Sequence, residues 1–222
     1  MTRNAVLTEG TIRFSYRLRA PAAGERIARS LSVAAESWCA ILRALGLLGR
    51  DAARYSGYAF GNVSVRDPAR IADKPAPTSA RFFVTASQTT DAPCSAPESW
   101  VRIDSFDLAR FSVDATGDAP PSSETLTHAA IYSADAAIGW IFHAHAPAIW
   151  RASTKLGLAT IGADVPYGSP ALATAVERLA RAQRSRPLLF ATLGHEDGVF
   201  ACGAEVDETA GALVALLARA QR

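Results

Sequence analysis

The sequence predicts an α/β fold: one domain, three layers deep, with helices on both faces of a central mixed, largely antiparallel sheet. Three observations lead there. The chain has 222 residues, 49% of them apolar, enough to bury a substantial core. Helical and strand-like hydrophobic periods alternate along it. Several strand pairs lie close enough in sequence for hairpins, which favours antiparallel neighbours over an all-parallel sheet.

The elements follow in order. "GTIRFSYRLR" (10–19) sets Ile, Phe, Tyr and Leu against polar neighbours at strand spacing, and "PAAGE" breaks it. Residues 1–24 therefore read as a strand-like extension and 25–222 as the main domain. From Glu25 to Leu47, apolar residues such as Ile27, Leu31, Trp38, Ile41 and Leu45 recur every three or four positions, predicting a long amphipathic helix ended by Gly46 and Gly49. "GYAFGNVSVRD" reads as a glycine turn and short strand. "ARFFVTAS" reads as a strand after a Pro-rich loop, and "WVRIDSFDLARFSVD" as a strand with room for a hairpin. In "PPSSETLTHAAIYSA", Ser122 or Ser123 can cap a helix whose first turn holds Glu124. "AAIGWIFHAHA" is a buried strand, and "PAIWRASTKLG" a short helix opened by Pro147. Ser169 caps and Pro170 opens the next helix. "PLLFATLGHEDGVFACG" is two strands around a turn, and "VDETAGALVALLARAQR" a final helix.

Composition excludes several function classes. Net charge is +2, and the basic residues, all arginine except Lys74 and Lys155, are spread out. No basic stripe interleaves with aromatics, so nucleic acid is not expected as a partner. No apolar run is long enough to span a membrane. The N-terminus lacks the uninterrupted apolar core of a secretory signal, so the cytoplasm is the expected location. Cys39, Cys94 and Cys202, odd in number and unrelated in spacing, argue against a disulfide framework and against a cysteine zinc site.

Chemistry concentrates in the histidines, of which there are four. Residues i and i+2 of a strand share a face, so His143 and His145 project side by side, about 7 Å apart at Cα. Two ligands of one metal can share that spacing, although two unrelated ring contacts at a strand end would look the same. His195, in "LGHEDG", also ends an apolar strand. Three histidines with a nearby carboxylate, Glu124, would supply the ligands and the acid/base group of a catalytic metal site.

The order "GNVSVRD", "FFVTAS", "PPSSE…HAHAP", "PYGS", "GHEDGVFACG" and a final amphipathic helix resembles the class II aldolase/adducin superfamily, in the pattern of the fuculose- and ribulose-phosphate aldolases and epimerases. The resemblance runs from about residue 30 onward. It implies that His143, His145 and His195 bind a divalent metal, usually zinc, with manganese or iron as alternatives, and that Glu124 is the catalytic acid/base. It implies a substrate phosphate held by Asn62, Ser64, Thr85, Ser87, Ser122 and Ser123. It also implies a homotetramer, and a metal-stabilised enediolate in aldol cleavage of a small hydroxy-carbonyl compound such as a sugar phosphate. Epimerisation, dehydration or decarboxylation of a keto or hydroxy acid can use the same intermediate, and a non-catalytic adducin-like scaffold uses the fold without it.

The pattern is departed from in three places. Gln88 stands where the family's phosphate loop usually has glycine, so it crowds a phosphate or contacts the ligand itself. "HEDG" separates His195 from its glycine, leaving Asp197 as an alternative third ligand. No tyrosine lies between Trp150 and Tyr167, so a second proton donor would be Tyr167, Tyr132, His128 or water. Residues 5–20 have no counterpart in the pattern and are expected to add an edge strand or an intersubunit contact.

Overall fold

The structure, a computed structural model, describes residues 10–68, 80–183 and 185–222. Most of the Pro-rich loop expected before "ARFFVTAS", and residues 5–9 of the expected edge segment, lie outside them. Its strands are β1 (Ser15–Arg19), β2 (Gly49–Arg50), β3 (Ala59–Phe60), β4 (Asn62–Arg66), β5 (Phe82–Thr85), β6 (Trp100–Asp107), β7 (Ser112–Thr116), β8 (Trp140–His145), β9 (Ala159–Ile161), β10 (Leu188–Thr192) and β11 (Gly198–Gly203). The helices are α1 (Arg29–Ala44), α2 (Thr125–Ala134), α3 (Pro147–Arg151), α4 (Pro170–Ala182) and α5 (Val206–Ala220).

Among the described residues, nine strands form one sheet in the order β1-β7-β6-β5-β4-β8-β11-β10-β9, and β2 pairs with β3 beside it. The two outermost pairings, β1 with β7 and β9 with β10, are parallel, and the other pairings within the large sheet are antiparallel. The sheet is thus mixed and largely antiparallel, as its pattern predicts. Alternation along each strand splits the core in two. Ile141 of β8 and Phe200 of β11 pack with Leu126 and Ile131 of α2 and Leu172 and Val176 of α4. Phe142 and Ala144 of β8 and Val199 and Ala201 of β11 pack with Cys39 and Leu42 of α1, Ile149 of α3 and Leu213 of α5.

Several boundaries differ from those expected. The first helix begins at Arg29 rather than Glu25, and its N-cap Ala28 makes no side-chain cap. Glu124 is itself the N-cap of α2, with neither Ser122 nor Ser123 in that place. Nearly all of α2 is buried, which no amphipathic stripe could have signalled. The strand β9, three residues long, is too short to stand out by periodicity. Ser169 caps α4 as expected, its Oγ accepting from the Leu172 N–H at 3.1 Å, with Pro170 in the first turn. The expected absence of a disulfide is overturned. Cys39, on the buried face of α1, is bonded to Cys94 in the loop before β6, with Cα atoms 6.6 Å apart. Packing, not spacing, brings the two together. Cys202 is a buried free thiol, and burial raises its pKa. No described helix is long and apolar enough to cross a membrane.

Candidate metal centre

The site lies where β8, β11 and the N-terminus of α2 converge. Because β8 alternates, Phe142 and Ala144 enter the α1/α5 core, while His143 and His145 point with Ile141 toward the α2 layer. Register places His143 opposite Phe200 and His145 opposite Gly198, so the turn joining β10 to β11 closes beside them and delivers His195. The three imidazoles, 0–3% exposed, each offer a nitrogen within 4.8 Å of the others. Their ring centroids are 4.7 to 5.1 Å apart.

Close backbone approaches build this corner. Gly61, between β3 and β4, has φ +73, and a Cβ there would lie 2.8 Å from the His143 carbonyl oxygen. Gly194 packs against the Val165 carbonyl so tightly that a Cβ would lie 2.0 Å from its oxygen. Only glycine fits either place.

Burial, then the neighbouring histidines, pushes the pKa values of His143 and His145 well below the ordinary value, so both rings are neutral. Neutral imidazole is the form that binds a metal. Apart from the nearby Val199 backbone, the buried ring nitrogens of His143 have no hydrogen-bond partner. A buried polar atom without a partner is costly, and a metal would satisfy it. Three buried, converging nitrogen donors, two of them on rings held neutral, fit a zinc-class divalent ion.

Glu124 is 1% exposed, and its Oε1 lies 3.7 Å from His195 Nδ1. The Tyr167 ring stacks on His195 at 4.6 Å. On the other side, His145 meets the edge of Tyr55 at 4.6 Å. Tyr55 donates to Asp197 at 2.6 Å, and Arg54 lies over its ring. Burial and the Asp197 carboxylate raise the Tyr55 pKa, so the phenol stays protonated. Asp197 is thereby engaged as an acceptor for Tyr55, and it is His195 that joins the histidine cluster. Tyr55 and Arg54 come from an irregular stretch, "DAARYSGYAF", that carries no recognisable pattern.

The six residues expected to hold a phosphate do not stay together. Asn62, Ser87, Ser122 and Ser123 line one cavity with Gly10, Gly61 and Gln88. The Asn62 Oδ1 is buried without a hydrogen-bond partner. Thr85 instead accepts from the Val63 N–H at 3.2 Å. Ser64 lies deeper, bonded to His128 Nδ1 at 2.6 Å and to the Tyr132 hydroxyl at 2.9 Å. Its neighbours are core residues, so it belongs to a buried polar network rather than to the cavity. Gln88 folds over the cavity, its amide exchanging hydrogen bonds with both the N–H and the carbonyl of Ala59 at 2.9 and 3.2 Å. The space left is about 10 Å³, room for roughly one water.

The fold has counterparts among known structures. L-fuculose-1-phosphate aldolase from Thermus thermophilus superposes with a TM-score of 0.59 at 22% identity, covering 88% of this chain and 92% of that one. A sugar-phosphate aldolase from Thermotoga maritima gives 0.59 at 16% identity, covering 87% and 91%. YgbL from Escherichia coli, for which three candidate activities are named (aldolase, epimerase, decarboxylase), gives 0.59 at 17% identity, covering 87% of each chain. These likenesses carry the fold. No curated protein matches the chain. Residues 49–221 match the family described as class II aldolase and adducin N-terminal domain, and with that match spanning most of its length, the chain belongs to the class II aldolase/adducin family.

Proposed function

We propose that this protein is a metal-dependent carbon–carbon lyase of the aldolase type, acting on a small hydroxy-carbonyl compound. One observation carries the reading: three buried imidazoles, those of His143 and His145 held neutral, converge within 4.8 Å beside the buried carboxylate of Glu124. His143, His145 and His195 would hold the ion, zinc by its preference for nitrogen donors, or manganese or iron. A divalent ion held there would supply Lewis acidity at a bound carbonyl oxygen, the charge stabilisation that carbanion chemistry beside it needs. Glu124 removes the proton from the carbon beside the carbonyl in the synthetic direction and returns it in cleavage. Tyr167, stacked on His195, is the proposed donor to the departing oxygen, since the other phenol beside the cluster, Tyr55, already donates to Asp197. His128 and Tyr132 are bonded to Ser64 and take no part. Asn62, Ser87, Ser122 and Ser123 position the substrate.

A second reading on the same residues, a lyase, epimerase, dehydratase or decarboxylase acting on a keto or hydroxy acid, draws support from Gln88, whose side chain fills the space beside the hydroxyls and hydrogen-bonds to Ala59. A scaffold without chemistry has no use for a buried histidine cluster and an adjacent buried carboxylate. A homotetramer in the cytoplasm completes the proposal; in that reducing compartment Cys39 and Cys94 would rest as a dithiol.

Elemental analysis with turnover assays tests the reading. About one transition-metal ion per chain is expected, lost in the His143→Ala/His145→Ala double variant. Glu124→Gln is expected to keep the metal while kcat falls about 10²- to 10⁴-fold. A wild-type chain that takes up no zinc, manganese or iron would sink it.

A further inference from the structure

We propose that Arg13, carried over the site by the N-terminal segment, is the residue that recognises the substrate's anionic group, and that this group is a carboxylate. The inference rests on the active-site reading above and names the substrate class.

The segment from Gly10 to Phe14 runs from the hydroxyl-lined cavity to the core. At one end Gly10 lines the cavity beside Ser122 and Ser123, so close to Gln88 that a Cβ on Gly10 would meet its amide nitrogen. At the other end Phe14 is buried in the core and packs edge-on against Phe111. Between these anchors Arg13 turns inward. Its guanidinium lies over the Tyr167 ring at 5.0 Å, and that ring is stacked on the candidate ligand His195 at 4.6 Å. The stem of Arg13 passes against Gly168, the Ser123 carbonyl flanking the same spot. The chain therefore sets a cation one ring away from the histidine cluster and beside the residue that precedes Glu124.

That cation has donors to spare. Among the described residues its side chain donates one hydrogen bond, from Nη1 to the Tyr167 carbonyl at 3.3 Å, and pairs with no carboxylate. A guanidinium carries five N–H donors in a planar fork that matches a carboxylate bidentately. The hydroxyl-lined cavity, in contrast, is closed by Gln88 and Gly10 down to about 10 Å³. In this proposal the anionic group meets Arg13, while the cavity hydroxyls contact the rest of the substrate. The favoured substrate is a short acid whose hydroxy-carbonyl end reaches the histidine cluster while its carboxylate meets Arg13.

The test is titration calorimetry on the full-length chain, zinc-loaded and, separately, EDTA-treated. The probes are malate, which has an α-hydroxy acid end and a second carboxylate; lactate, which lacks the second carboxylate; and inorganic phosphate. On the zinc-loaded chain malate is expected to bind about tenfold or more tighter than lactate. Arg13→Gln should bring the two within about threefold while zinc content stays the same, and Arg13→Lys should restore part of the preference because it keeps the charge without the fork. If wild type and Arg13→Gln bind malate alike in both forms of the chain, Arg13 is not the anion-binding residue. Inorganic phosphate binding more tightly than malate, and through Arg13, would overturn the carboxylate. A chain that takes up no zinc yet keeps an Arg13-dependent preference for malate would overturn the metal-dependent function instead.

Discussion

The Glu124 carboxylate and the rings of His128, His143, His145 and His195 are all buried, at 0–3% exposure, within one corner of the sheet. Burial of so many titratable groups makes stability sensitive to acid. His128 shows the direction most simply: desolvation alone lowers its pKa from 6.5 to about 3. The folded state keeps this ring neutral while the unfolded chain protonates it. Its contribution is fully present above pH 6.5 and is lost as the pH falls toward about 3. His143 and His145 are shifted in the same direction and add to the slope in the metal-free chain. We expect the unfolding free energy of metal-free protein to fall with acid below pH 6.5. His128→Gln should make that slope shallower by about 1.4 kcal/mol per pH unit. Urea denaturation across this range measures it, and an unchanged slope would mean that His128 is protonated in the fold.

Two elements hold their places through contacts that leave no latitude. The turn between β10 and β11 carries His195, and Gly194 sets its path against the Val165 carbonyl. Gly194→Ala would drive a Cβ into backbone, which cannot swing aside. It should cost about 1–3 kcal/mol of stability and displace His195. Zinc affinity should then drop by about tenfold or more, read by competition with a chelating dye. The second element is the link between α1 and the loop before β6. Closing Cys39 to Cys94 removes a loop of 55 residues from the unfolded chain's freedom. The chain-entropy model puts that constraint at about 4 kcal/mol. Dithiothreitol should lower the urea midpoint accordingly, and a Cys39→Ser variant should be insensitive to it.

At the scale of the molecule, the candidate site is built from segments far apart in sequence, with β8 carrying two of the clustered histidines and the β10–β11 turn the third. A ligand binding such a site binds only the folded state. Zinc at a hundredfold excess over its dissociation constant should stabilise the fold by about 2.7 kcal/mol. For a domain of this size that is a rise in melting temperature of roughly 5–10 °C. Calorimetry with zinc and with EDTA should show the rise in the wild type and none in the His143→Ala/His145→Ala variant. An equal rise in both would place the zinc elsewhere.

Much of this was legible in the order of residues. Hydrophobic pattern, with the Ser169–Pro170 start signal for α4, located α4, α5, β8 and the β10–β11 hairpin, because each buries one face or a continuous apolar run. The i, i+2 spacing of His143 and His145 is local strand geometry, and so could be read directly. What depended on packing could not. The bond between Cys39 and Cys94 joins a helix to a distant loop. The fate of Ser64, drawn to His128 and Tyr132, is a matter of depth, which a motif does not encode. His195 was the expected third ligand with Asp197 the alternative, and only the fold shows the Asp197 carboxylate accepting from Tyr55 while His195 lies in the histidine cluster. Arg13 showed only as one polar residue in an alternating strand. Its place over Tyr167 follows from the pairing of β1 beside β7 and the burial of Phe14, contacts between segments about 100 residues apart. The sequence by itself determined which residue types could do the chemistry and which elements carry them, since local periods are written in neighbouring residues. Only the tertiary structure decided which of them meet, because long-range contacts are set by how whole faces pack.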